Sequence, residues 1–319
     1  MKRILYILII QLLLSNDFES IGTFTENANS FESISMSGST TSWIGGISSI
    51  GSNPAGLTKL RGIGFDLGLG VESANIYNDN DAQFPYFAVG YGFKKPLIAG
   101  TNLRAAVGIS YQARTSNGLE GWSPDENFEG MFNFTESATS IAFAVDLDPV
   151  SFGFKWVNYS QDFGQYGSHN SKEFFKPIGF GLQYNLSKNF KFGIEISKVS
   201  EVGTYDYSIG KSKAGVSFTL QNNSLISIDY EKLSNDNGNL SLGYKKTLFN
   251  NFSIGAGLKN IVTNDESYNH LSFGISYYIK EIAFNLAMKQ NLGSDINAPL
   301  SRILYFSISY QLNNKNLSY

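Results

Sequence analysis

The sequence predicts an all-β fold: a transmembrane antiparallel β-barrel of about fourteen strands with an N-terminal plug segment. Three observations carry this. Charged residues make up only 16% of the 319 residues and hydrophobic ones 42%, against roughly 25% charged in an ordinary soluble domain. From residue 61 onward, short segments alternate large apolar residues with small or polar ones. The connections between these segments are in turn short and long.

The N-terminus comes first. Lys2 and Arg3 are positive, and Ile4 to Leu14 are apolar apart from Gln11. That length suits the apolar region of a signal peptide. A spanning helix needs about 20 apolar residues, and polarity returns at Ser15, Asn16 and Asp17. Residues 1–20 are expected to be the signal; cleavage after Ser15 and after Ser20 both fit. The chain has no cysteine. That excludes disulfides and a lipid anchor on a processed Cys, and it suits passage through an oxidising compartment. A net charge of -3 without like-charged runs gives no sign of a nucleic-acid partner.

Residues 21–60 follow, rich in Gly and Ser and without a strong period. The run Asn53-Pro54-Ala55-Gly56-Leu57 marks a tight turn just before the first strand. Residues 61–319 are then the barrel. In Leu271-Ser272-Phe273-Gly274-Ile275-Ser276-Tyr277 every second residue is large and apolar. Successive side chains of a strand face opposite ways, so this pattern gives one apolar and one polar face. A helix would place its apolar residues three and four apart. Such segments are expected near 61–72, 84–93, 103–113, 137–147, 150–160, 175–185, 190–199, 211–220, 224–231, 238–247, 251–259, 271–279, 281–290 and 301–312.

Connections after even-numbered strands are short, as at Asp148-Pro149 and Gln221-Asn222-Asn223, the longest of them being Lys94 to Asn102 after the second strand. Those after odd-numbered strands are mostly longer, and Arg114 to Glu136 is the longest. Outer-membrane barrels have short periplasmic turns and longer external loops. A soluble β-sandwich has no reason for this regularity. Outward rows such as Phe192, Ile194, Phe273, Ile275, Phe284, Phe306 and Ile308 are expected to face outer-membrane lipid. By the same alternation the lumen receives Asp66, Glu72, Arg104, Lys155, Glu195, Asp229 and Lys259. Asp146, Lys191, Lys245, Lys289, Tyr86, Tyr278 and Tyr305 share that face. Mixed charge there means either pairs that hold plug and wall or a polar path for a ligand.

No catalytic, cofactor or metal site stands out. His169 and His270 fall in expected external loops, neither with a His or Cys at metal-ligand spacing. Gly90-Tyr91-Gly92 and Gly255-Ala256-Gly257 precede no helix, so they are not phosphate loops. The chain is expected to be no enzyme and to need no cofactor.

Asn53, Pro54, Ala55 and Gly56, after a small-residue stretch and directly before the first strand, resemble the N-terminal hatch of the FadL-type outer-membrane transporters. They resemble equally the PorV/PorQ barrels of type IX secretion. The first resemblance implies passive transport or binding of a small hydrophobic or amphipathic solute. The second implies a secretion accessory whose partners are secretion-system or cargo proteins. The chain is short for a FadL-type transporter and nearer the size of the PorV/PorQ group. A purely structural scaffold is the third alternative. All place the chain in the outer membrane of a Gram-negative-type bacterium.

Overall fold

The structure, a computed structural model, describes residues 30–73, 82–93, 96, 101, 103–122, 128–166, 169–200, 210–233, 238–249, 251–259, 269–292 and 302–312. The expected signal peptide, residues 1–20, lies outside the described residues.

Fourteen strands form the wall: β1 (Gly62–Ser73), β2 (Ala82–Gly92), β3 (Arg104–Trp122), β4 (Phe128–Asp146), β5 (Val150–Tyr166), β6 (His169–Asn185), β7 (Phe190–Ser200), β8 (Gly210–Leu220), β9 (Ser224–Leu233), β10 (Asn239–Leu248), β11 (Phe252–Lys259), β12 (His270–Ile279), β13 (Ile282–Asn291) and β14 (Arg302–Gln311). Each pairs antiparallel with its sequence neighbours, and β1 pairs with β14, so the barrel closes. Closure removes every free edge along the paired length.

The alternation becomes two faces. Leu67 and Leu69 on β1, Phe273 and Ile275 on β12, Phe284 on β13 and Phe306 on β14 are exposed on the outside. Between them lie buried inward residues such as Asp66, Ser272, Ser276, Asn285 and Ser307. Of the expected outward set, Phe192 and Ile308 are half-buried. Ile194 departs from expectation: it is only 4% exposed. Leu182 and Ala214 stand opposite it on the flanking strands, and side chains at such cross-strand positions touch.

Two expected loops are corrected. β3 and β4 run on to Trp122 and Phe128, and β5 and β6 to Tyr166 and His169, so most of the expected loop Arg114 to Glu136 is strand. A lipid-spanning strand needs only about 9–11 residues. These hairpins, of 19-residue and 17-residue strands, therefore project past the others. Beyond lipid no apolar face is required, so the two-residue beat fades while backbone pairing continues. Register shifts at Ser116/Leu119 and Asp162/Gln165 blur it further. His169 and His270 likewise open strands β6 and β12 instead of lying in loops. At the opposite end the turns are tight. Asn222 and Asn223 both take positive φ, 76° and 56°, a conformation that Asn tolerates better than most residues.

Residues 30–60 lie inside the ring. A short helix α1 (Phe31–Ser35) is capped by Ser30, whose Oγ accepts from the Ser33 amide. Two 3-10 turns follow, Gly46–Ser49 and Pro54–Lys59. The segment is buried throughout except at half-buried Glu32, Gly38, Gly45, Gly51 and Lys59. Its apolar residues form clusters with the inner wall. Ile47, Ile50, Leu57 and Leu60 meet Tyr86, Ala88, Ala106, Ala142 and Ala144, while Phe31 and Ile34 meet Ala287 and Tyr305. Small inward residues make this possible, because a barrel of this strand number is too wide for its own side chains to fill.

Candidate functional site

The site is the contact between the segment and the inner wall. Asn53 is its anchor. As N-cap of the second 3-10 turn it accepts the Ala55 amide on Oδ1 at 3.1 Å. Pro54 follows at the first position of that turn, where a missing N–H costs nothing. The Asn53 Nδ2 group donates to Thr41 O at 2.7 Å and to the wall carbonyls of Leu182 and Ile194 at 3.1 and 3.2 Å. One side chain thus ties two parts of the segment to β6 and β7.

Glycines let the backbone come this close. A Cβ on Gly181 would overlap Asn53 Oδ1, one on Gly153 would overlap the Pro54–Ala55 peptide, and one on Gly193 would overlap Thr41 O. The same holds around the ring, where Gly257 faces Met36 and Gly274 faces Ser35 and Phe31. The inward Gly row of the sequence is a seat for the segment.

Charged side chains complete the attachment. Lys155 Nζ donates to Ser52 O at 2.8 Å and to Glu195 Oε1 at 2.8 Å. Asp229 Oδ2 accepts the Thr40 and Thr41 amides at 2.9 and 2.8 Å. Lys213 donates to Gly38 O and lies 3.9 Å from Asp229. Lys259 reaches Glu231 at 2.8 Å, and Lys211 and Lys213 approach the same carboxylate at 3.4 and 3.5 Å. A small cavity of about 20 Å³ remains beside α1, lined by Lys211, Lys213, Lys259, Lys289, Glu195 and Ser37 among others. That is room for one water molecule. Lys245 lies over the Trp43 ring at 5.2 Å. Lys59, in the segment itself, donates to Trp43 O and Ile44 O at 2.6 and 3.2 Å. Burial, helped by the charge of Lys191 and opposed by Asp146, holds its ammonium well below the ordinary lysine range.

The lumen candidates thus separate into groups. Lys155, Glu195, Asp229 and Lys259 gather beside the segment. Glu72 pairs instead with Arg114 at 3.9 Å, and Arg104 stands opposite Asp146 near the first ends of β3 and β5. Asp66 sits apart from both, wholly buried, and Tyr278 is half-buried near the end of β12. Sequence reasoning missed Glu231, Lys211 and Lys213. Their parity with Asp229 and Gly215 was readable; Lys211 and Glu231 stand at the ends of expected strands, and Lys213 two residues inside one.

The Lys155–Glu195 pair offers a test. Both side chains are over nine-tenths buried. Glu195→Ala leaves a buried ammonium without its counter-charge and is expected to cost about 3–5 kcal/mol. Denaturant unfolding of the refolded barrel reads this loss. An unchanged midpoint would show that the pair is solvated and holds nothing.

No family model matches the chain, and no curated protein matches it by sequence. Solved structures do. The Pseudomonas putida toluene transporter TodX superposes with a TM-score of 0.63 at 14% identity, over 93% of this chain and 98% of TodX. The monoaromatic hydrocarbon channel CymD gives 0.60 at 15%, over 89% of this chain and 97% of its own. A Pseudomonas aeruginosa FadL homologue gives 0.61 at 9%, over 89% and 98%. TodX is described as a transporter and CymD as a channel. With its fourteen-stranded closed wall, the chain has the fold of the FadL-like outer-membrane barrels.

Proposed function

We propose that the chain is a passive channel of the Gram-negative-type outer membrane for a small hydrophobic or amphipathic solute, with residues 21–60 as its plug. The observation that carries this reading is the filled lumen: residues 30–60 seat on glycines and are held by non-covalent contacts to β5, β6, β7 and β9. Such contacts can be exchanged for contacts to a solute or to water without breaking the wall. The apolar clusters around Tyr86 and Tyr305 give the solute an apolar lining once the segment yields. The outward apolar rows fit lipid. TodX and CymD, described as passing toluene and monoaromatic hydrocarbons, suggest the class of solute.

The test is flux into proteoliposomes carrying the barrel. A monoaromatic hydrocarbon is expected to enter faster than through bare lipid, and a sugar of similar size not to. Equal entry with and without the barrel would overturn the reading. One observation favours the alternative, a PorV/PorQ-like accessory barrel for protein secretion. The projecting β3–β4 hairpin exposes Phe128 and Met131, 54% and 62% accessible, as a surface for a protein partner would. Deleting the gene would then strand a secreted protein and leave solute uptake unchanged.

A further inference from the structure

The cavity beside α1 has a lining that suits one small ion. On its wall side stand Lys211 and Lys213 of β8, Lys259 of β11, Lys289 of β13 and Glu195 of β7. Ser37 and Ser52 are on its segment side. Four lysines from three strands thus converge on a space of about 20 Å³. Like charges brought together repel, and away from water they also lose hydration. The one carboxylate of the lining, Glu195, is already paired with Lys155 at 2.8 Å. Behind the lining, Glu231 is shared by Lys211, Lys213 and Lys259 at once. Ser52 gives an independent sign of an occupant. It is 7% exposed, it lines the cavity, and its hydroxyl has no hydrogen-bond partner among the described residues. The Ser37 hydroxyl, by contrast, meets Ser272 at 2.7 Å. Lys155 holds the Ser52 carbonyl at 2.8 Å, so Ser52 is fixed in place while its buried hydroxyl lacks an acceptor, which is costly.

We propose that this cavity holds one halide ion, chloride under ordinary conditions, which latches the segment to the wall. The donors fit an anion. Lysine ammonium groups donate and accept nothing, and the Ser52 hydroxyl can turn its proton toward an acceptor. Four lysines repel a cation. A water molecule would answer the hydroxyl but leave the repulsion among the lysines as it is. Size then selects among anions. Chloride is little larger than water, so it fits a space that takes one water molecule. Phosphate, sulfate or the carboxylate of a solute has several heavy atoms and does not. Because Ser52 belongs to the segment and the lysines to the wall, the ion bridges the two. The latch is independent of what the barrel carries and would serve a transport barrel and a secretion accessory alike.

Titration of the full barrel in detergent with sodium chloride, against sodium gluconate at constant ionic strength, tests this through the chlorine NMR linewidth. Bound chloride relaxes fast and broadens the line. Saturable broadening is expected, reversed by bromide and not by sulfate. Ser52→Ala removes only a hydroxyl without a partner among the described residues, so it keeps the fold. It is expected to raise the half-saturating chloride concentration roughly 10-fold, the loss of one hydrogen bond to an ion. Lys289→Met, which removes a charge from the lining, is expected to raise it at least as much. In a parallel measurement, replacing chloride by gluconate speeds proteolysis within residues 30–60 of the wild type, and Ser52→Ala needs more chloride for the same protection. No saturable broadening, or a Ser52→Ala titration identical to wild type, overturns the site and leaves the cavity to water.

Discussion

Deleting residues 21–60 is expected to turn a barrel of low conductance into an open pore, with a rise on the order of tenfold or more, since a wall of this strand number without its filling encloses an aqueous channel. The wall itself should survive. Its backbone hydrogen bonds run from strand to strand and close on themselves, so none depends on the segment. The charges that now meet the segment, Lys155, Asp229 and Lys213, would meet water instead. Planar-bilayer recording reads the conductance, and heat-modifiable migration on a gel reads the fold. A single substitution should act the same way. Gly181→Val places a side chain where Asn53 Oδ1 and Pro54 Cδ now lie, and the segment must move because the paired strand cannot. Conductance unchanged in both variants would mean that the segment does not close the lumen, and the channel proposal would fall with it.

The second large effect concerns the outside. Ile275→Arg, near the middle of β12, is expected to cost about 2–4 kcal/mol, and Ile279→Arg, at the end of the same strand and on the same face, only about 0–1 kcal/mol. Both residues are exposed, at 44% and 50%, so in a water-soluble barrel the two substitutions would be equally harmless. Only a low-dielectric band around the middle of the wall separates them, because there the guanidinium loses its hydration and at the rim it does not. Unfolding into urea from lipid vesicles measures both. A flat profile along β12 would remove lipid from the account of this surface.

Much of this was legible in the residues. Segments such as Leu271 to Tyr277 predict their strand and both its faces, since the alternation is local and a one-residue slip would turn every apolar side chain inward. The turns at Asp148-Pro149 and Asn222-Asn223 were equally clear. The projecting halves of β3 to β6 were not, because pairing outside lipid leaves no apolar period to detect. Ile194 follows the outward parity, and its burial was invisible because it depends on what stands beside it on β6 and β8. In the sequence the inward Ser and Asn residues read only as a polar face. In fact Ser272 accepts or donates to Ser37 at 2.7 Å, and Asn285 bonds Ser307 at 3.0 Å.

The sequence by itself determined the number of strands, which face of each is apolar, and that Asn53-Pro54 makes a fixed turn before the wall begins. All of these are set by neighbours a few residues apart, where backbone geometry leaves few choices. Only the tertiary structure decided which inward groups meet. Asn53 reaches carbonyls 129 and 141 positions away, Lys155 finds Glu195 40 positions on, and Asp66 shares its corner with Tyr305 because β1 closes on β14. Alternation gives a side chain its face. Ring closure and the path of the segment give it a partner, and neither leaves a trace in the local order of residues.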